Sequence, residues 1–315
     1  MISSQKRISY SAIFGALFAI LFIVLAFFAP VLSPSEDNDA FKQVGRRSDF
    51  QPHPPSPEAP LGTLPQQIDV YHSLIWGARD ALVFSLSVVT ISAIFGGLLG
   101  AISGMSGGWL NRIILRVTDT FLTIPLIVGV VFLQQLINTS NEVLSGFMNY
   151  QLWVRGGDPL AETNALIDFF AVVDPLLVSF LALSWMGYTR MMNASVITVK
   201  QEEYIEAARS VGVSSFRLLF RHILPNAFQP LLVMAARDIG NVLILQATLT
   251  FLKVGGNSIW GEMLAMGRDW IIGPKGSLFD TWWVYLPATL IVILFSVTWN
   301  LLGEGLNQSL LNQRQ

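Results

Sequence analysis

An all-α membrane protein of about six transmembrane helices, with both termini in the cytoplasm, is the fold class this sequence predicts. Three observations carry that expectation. Of 315 residues, 52% are apolar and only 13% charged, about half the charged share of soluble domains. Six stretches reach or approach the ~20 apolar residues that cross a bilayer. One long polar segment, Lys200–Gln229, falls between the fourth and fifth of them and has the pattern of a bent pair of short helices.

In chain order, the expected spans begin with Ile8–Phe28 and Ala81–Met105, both uncharged. The third is Thr120–Asn141, polar at its end, and the fourth is Phe169–Tyr188, with Asp174 near its start. Leu231–Leu252 carries Arg237 and Asp238, and Trp282–Gly303 is uncharged. Backbone groups inside lipid must be bonded within their own segment, so these stretches are helices. Lys6 and Arg7 before the first span resemble the start of a signal peptide. The apolar run that follows is longer than the ~7–15 residues of such a peptide, so the span is expected to be retained. The chain divides into a tail and first span (1–32), an extracytoplasmic loop (33–80) and a membrane core (81–315) containing the 200–229 loop. Further outer connections are expected at Asn138–Asp168 and Lys253–Asp280.

Orientation follows from charge. With the N-terminus inside, the inner segments together with the fifth span hold eleven basic against six acidic residues, and the outer segments hold eight against fifteen. Positive charge is retained in the cytoplasm, which supports the N-in, C-in arrangement.

The absence of cysteine excludes disulfides, thiolate metal sites and cysteine nucleophiles. His53, His72 and His222 are too scattered to suggest a metal site, and a net charge of −2 gives no global attraction to nucleic acid. No G-x-x-x-x-G-K-[ST] loop occurs, so the phosphate cradle of the usual ATP site is missing. No catalytic residue and no bound cofactor are expected in this chain.

In the loop, Ile205, Ala208, Val211 and Val213 alternate with charged positions, which suits a short amphipathic helix. Gly212 can end it with a left-handed residue. Ser214 or Ser215 can cap a second short helix, Phe216–Ile223, which Leu224-Pro225-Asn226 would break before the fifth span.

Glu206-Ala207-Ala208, Gly212 six residues after the glutamate, and Ile223-Leu224-Pro225-Asn226 together resemble the EAA loop of bacterial ABC importer permeases. The resemblance extends along most of the chain. Leu61-Gly62-Thr63 with Asp69 and Gly77-Ala78-Arg79 is similar to the segment before the second span of peptide-type permeases. Gly107-Gly108-Trp109 with Arg116, Asp119 and Pro125, then Ser258–Leu264 and Asn300–Leu306, match later parts of the same pattern. The chain thus resembles the C-type member of the paired permeases of type I importers in the dipeptide/oligopeptide/nickel group. Gln246, where the family has an acid, and Lys253-Val254-Gly255, where it has a Gly-Leu-Gly-like turn, depart from the pattern.

The resemblance implies a multi-pass subunit of a prokaryotic plasma (inner) membrane. Its implied partners are a homologous second permease, two ATPase subunits that hold ATP and magnesium, an extracellular solute-binding protein and lipid. It also implies that Glu206, Ala207, Ala208, Gly212, Ser214, Ser215, Phe216, Leu224 and Pro225 form the ATPase-coupling site. Peptide is the expected cargo, with oligosaccharides, nickel chelates or opines as alternatives. A secondary transporter would require inverted repeats, and a membrane enzyme would require a compact set of intramembrane His, Asp or Glu.

Ionisable side chains inside a membrane are expensive and tend to pair or to line a wet cavity. Arg237, Asp238, Asn241 and Gln246 are therefore the candidates for the pathway or the permease–permease interface. Adjacent residues do not face each other on a helix, so Arg237 and Asp238 should have separate surroundings. Gly96, Gly97 and Gly100 suit close helix packing. Asp119 reads as a helix-start charge. Trp260, Trp270, Trp282 and Trp283 read mainly as interfacial anchors, with contact to a docking partner a second possibility for Trp260.

Overall fold

The computed structural model describes residues 10–35, 39–154, 174–273, 277 and 279–312. Its elements are α1 (Tyr10–Leu32), β1 (Thr63–Leu64), β2 (Ile68–Asp69), α2 (Val70–Ser106), α3 (Gly108–Leu122) and α4 (Leu126–Val154). They continue with α5 (Pro175–Lys200), α6 (Glu203–Ser210), α7 (Ser215–Leu218), α8 (Leu224–Phe251), α9 (Ile259–Gly267) and α10 (Trp282–Asn312).

Four helices among the described residues are long and apolar enough to cross a membrane, or five if the bent pair α3–α4 is one span. The expected six are reached only by adding α5. That helix is polar for a span because Ser179, Thr189 and Asn193 lie along it, yet all three are buried inside the bundle. Around the bundle runs apolar surface suited to lipid, including Ile13, Leu17, Ile20, Val24 and Phe27 of α1. The start of the expected fourth span, residues 169–173, lies outside the described residues, as do 155–168 of the expected outer connection and the terminal charges Lys6, Arg7 and Arg314.

The close approach of α2 to α5 follows from glycine. A Cβ at Gly96 would collide with the Trp185 carbonyl, and one at Gly100 with the Thr189 carbonyl. At Gly104 it would meet Val196 Cγ1 at 2.8 Å. Two of the three glycines read as packing positions, Gly96 and Gly100, therefore set the α2–α5 spacing, while Gly97 faces Leu231 of α8. Past these contacts Asn193 Nδ2 donates to Ser103 Oγ at 2.9 Å and to Asn111 Oδ1 at 2.8 Å. Lys200 Nζ closes the end of α2 by donating to the carbonyls of Gly104 (2.9 Å) and Met105 (3.2 Å). Those carbonyls have no partner in their own helix, and a cation is favoured there. On another side of the bundle, Gly15 and Gly305 let α1 and α10 touch through backbone.

Four expectations change. First, α2 begins at Val70, eleven residues before the expected span, with the Asp69 carboxylate accepting from Tyr71 N at 2.9 Å. At 37 residues it is ~55 Å long, well beyond a ~30 Å hydrocarbon core. Its first turns stand above the lipid, fastened by the preceding segment. His72 takes Ser33 Oγ at 2.7 Å and the Asp39 carbonyl at 2.8 Å, and Trp76 Nε1 donates to the Ser33 carbonyl. The β1–β2 hairpin closes this clasp, turning through Gln66 and Gln67 at positive φ.

Second, the third span is not straight. Helix α3 stops at Leu122 and α4 starts at Leu126, with an 86° bend between them. Pro125 lacks an N–H and disfavours helical geometry in the residue before it. Asp119 accordingly lies late in α3, against Arg190 Nε at 3.5 Å, and not at a helix start. Third, α4 continues to Val154, thirteen residues past the expected end at Asn141, because Val143, Phe147, Tyr150 and Val154 keep a helical apolar spacing.

Fourth, Trp260 is no surface anchor. It is fully buried, its ring seated on Gly77 and edge-on to Phe22 and Phe295, with Nε1 donating to the Leu74 carbonyl at 3.1 Å. An indole is buried readily when its N–H finds an acceptor. Trp283 is buried as well, and Trp282 is partly exposed.

Candidate functional site

The 200–229 loop is two short helical pieces about a bend. Helix α6 ends in a Schellman arrangement, in which Val213 N donates to the Ala208 carbonyl at 3.2 Å and Gly212 N to that of Arg209 at 3.0 Å. Gly212 has φ +83, and a Cβ there would meet nothing within 4 Å. The bend thus needs glycine for its backbone alone. Ser214 leads into α7, its carbonyl accepting from Leu218 N at 2.9 Å, and Ser215 is the first helical residue.

The Leu-Pro-Asn break does not occur. Leu219–Ile223 forms one π-helical turn that joins α7 to α8 without interruption, closed by Leu224 N donating to the Leu219 carbonyl. A prolyl ring clashes with the carbonyl four residues earlier in a regular helix, and the wider turn absorbs Pro225 near the α8 start. Asn226 Nδ2 ties both pieces together, donating to the His222 carbonyl at 2.7 Å and to Tyr204 Oη at 3.2 Å.

The loop has two faces. Ile205, Leu218 and Ile223 are fully buried and hold it against the spans. Val211 is 83% exposed, Phe216 73% and Phe220 56%, with the two phenyl rings 4.5 Å apart. Glu206, Ala207 and Ser214 are exposed beside them, and Ala208 is half-buried. Val211, assigned with Ile205 to one helix face, points the opposite way. The sequence pattern missed this because Val211 follows the last helical turn and no longer obeys its period.

The second site lies midway along the bundle. A cavity of about 210 Å³ opens between α5, α8 and the α3–α4 bend. Its wall is apolar (Val89, Leu183, Met186, Val242 and Leu245), and Phe121, Leu122, Ile124 and Leu126 bring the helix break to its edge. Interrupted helices are tolerated at membrane depth where they line a cavity. Asp238 lies in this wall, accepting from Tyr188 Oη at 2.7 Å and from Asn241 Nδ2 at 3.3 Å. Among the described residues no basic side chain pairs with it. A charge at mid-bilayer costs roughly 2.5–3.5 kcal/mol on insertion scales, and one hydroxyl and one amide N–H, both neutral, offset part of that.

Of the four candidate pathway residues, the structure brings Asp238 and Asn241 together. Arg237 is exposed on another face, its side chain packed over Gly303. Gln246 stands apart, fully buried, with neither amide atom hydrogen-bonded. Tyr188 was not singled out by the sequence, since nothing local marks a tyrosine fifty residues from its partner.

A bundle of spanning helices with a protruding, fastened loop and a half-open membrane cavity defines a multi-pass transport subunit. The profile of binding-protein-dependent transport system inner membrane components matches residues 96–312. The chain belongs to that family, and it is an inner-membrane permease subunit. It is 30% identical, over 95% of its length and 87% of the relative's, to the di/tripeptide transport system permease protein of Pseudomonas aeruginosa. Similarity extends to the dipeptide transport system permease protein of Alkalihalophilus pseudofirmus (29%, covering 97% and 87% of the two chains). It also extends to a probable D,D-dipeptide transport system permease protein of Escherichia coli K12 (28%, covering 94% and 85%).

Proposed function

We propose that this permease forms half of the translocation pathway of an ATP-driven importer of di- or oligopeptides. A homologous second permease supplies the other half. Two ATPase subunits carry ATP and magnesium, and an extracellular binding protein delivers cargo. The observation that carries the reading is the loop: a rigid protrusion fastened by buried Ile205, Leu218 and Ile223 that presents Val211, Phe216 and Phe220 outward. Exposed aromatic residues beside small ones suit a helix-in-groove contact. Glu206, Ala207, Ala208, Gly212 and Ser214–Phe216 are the contact, and Leu224-Pro225 joins it to α8.

The cycle follows from that attachment. Closure of the ATPase pair on ATP moves its grooves. The loop moves with them, and the two permeases rock between inward- and outward-facing states. Hydrolysis resets the cycle. ATP acts as a remote ligand biasing a two-state element. Peptide cargo is favoured by the names of the relatives. The cytoplasmic contact is tested with cysteine at Ser214 or Phe216 in the assembled importer. Cross-linking should capture the ATPase subunit, and labelling by lipid alone would refute the docking.

A further inference from the structure

The membrane cavity is apolar except where Asp238 meets Tyr188, with Asn241 and Ser184 beside them. Asp238 is the fifteenth residue of the 28 in α8, and Tyr188 the fourteenth of the 26 in α5. Both lie well inside their helices, so the carboxylate stands within the apolar bundle and not at either end of it. Tyr188 occupies one of its oxygens and Asn241 the other. Each oxygen keeps a free lone-pair site. Arg237, the nearest cation in sequence, lies on another face. Ser184 Oγ, in the same cavity wall, is buried without a hydrogen-bond partner.

We propose that Asp238, positioned by Tyr188, is where the pathway engages a cationic group of the cargo: the ammonium that every unblocked peptide carries at its N-terminus. The inference rests on the peptide reading above. An ammonium has three donors, and two carboxylate oxygens and a serine hydroxyl are the acceptors this cavity offers. Apolar walls lower the local dielectric and strengthen the attraction. A cargo carboxylate at the same point meets like charge. The helix break at Thr123–Pro125 borders this wall.

The test uses the importer purified with its partner subunits, without the binding protein. Modification of Asp238 by a hydrophobic carbodiimide is followed by peptide mass spectrometry. Alaninamide and trialanine at millimolar concentration should slow it about tenfold, which corresponds to ~1.4 kcal/mol, and N-acetyl-trialanine should not. Equal rates with and without alaninamide, or equal protection by the acetylated peptide, overturn the proposal.

A second measurement separates charge from structure. In Asp238→Asn the amide oxygen still accepts from Tyr188, and Asn241 can turn its own amide oxygen toward the new N–H, so a merely structural role survives. Reconstituted uptake of trialanine should nonetheless fall about tenfold in kcat and recover in Asp238→Glu. Unchanged uptake in Asp238→Asn overturns the proposal. So does loss of the second permease from the purified variant, which would assign the carboxylate to the subunit interface. Alaninamide protection with no peptide uptake by the wild-type importer would instead sink the peptide reading and leave the cation station standing.

Discussion

Replacing Gly212 tests the coupling loop with a magnitude that can be worked from its geometry. The residue has φ +83, and a side-chain carbon added there would find no atom within 4 Å. Gly212→Ala therefore meets no steric wall, only the backbone penalty of a left-handed L-residue, about 1–2 kcal/mol. Gly212→Asp suffers no more from that source, since aspartate enters the left-handed region more readily than most residues. In the isolated permease the two variants should behave alike. They part only where the loop meets its partner. An unpaired charge in a closed contact costs several kcal/mol, against 1.4 kcal/mol per factor of ten in affinity. ATP hydrolysis stimulated by loaded binding protein, and uptake, should fall a few-fold in the alanine variant and vanish in the aspartate variant. Expression and thermal melting of the two should match. Equal activity in both, or greater activity in the aspartate variant, would show that nothing packs on Gly212.

Three other outcomes are expected. Gly100→Leu drives a side chain into the Thr189 carbonyl, and should lower melting of the purified permease by the ~1–3 kcal/mol typical of overpacking; an unchanged melt would mean α2 and α5 can separate freely. Trp260→Ala removes a fully buried ring and its bond to the Leu74 carbonyl, a loss of ~3–5 kcal/mol that should show as poor recovery of folded protein, whereas an interfacial anchor would tolerate it. Cysteine at exposed Ser56 should react with an impermeant maleimide in intact cells, and protection there with labelling at Ser214 would invert the orientation.

The spans were legible because lipid demands long apolar runs, and the bend of the loop because Gly212 marks a left-handed backbone, whereas the Leu-Pro step suggested a break where a π turn runs on. Gly96 and Gly100 could be read as packing positions for the same reason: a missing side chain is a local fact. What stayed hidden depends on partners distant in sequence. The first turns of α2 looked like loop because Tyr71, His72 and Ser73 are polar, and the hydrogen-bond partners of His72 and Ser73 lie more than thirty residues earlier, at Ser33, Asp39 and Ala40. Trp260 looked interfacial because its socket is made by Gly77, Phe22 and Phe295, from three other helices. The α3–α4 bend had a visible marker in Pro125, but proline inside a span also occurs without a break, as Pro30 does in α1.

The π turn at Leu219–Ile223 has a mechanical consequence. Because it replaces a break with continuous helix, Ser215 through Phe251 is a single lever with no slack joint between the loop and the outer surface. Gly240 is the natural fulcrum, since a Cβ added there would come within 3.0 Å of Ser296 Cα of α10. Phe216 is ~36 Å from that point and Phe251 ~16 Å, at 1.5 Å per residue. Tilting about it would move the inner end roughly twice as far as the outer end, in the opposite direction. Spin labels at Phe220 and Phe251 would measure that ratio, and equal displacements at the two ends would mean the helix slides along its neighbours.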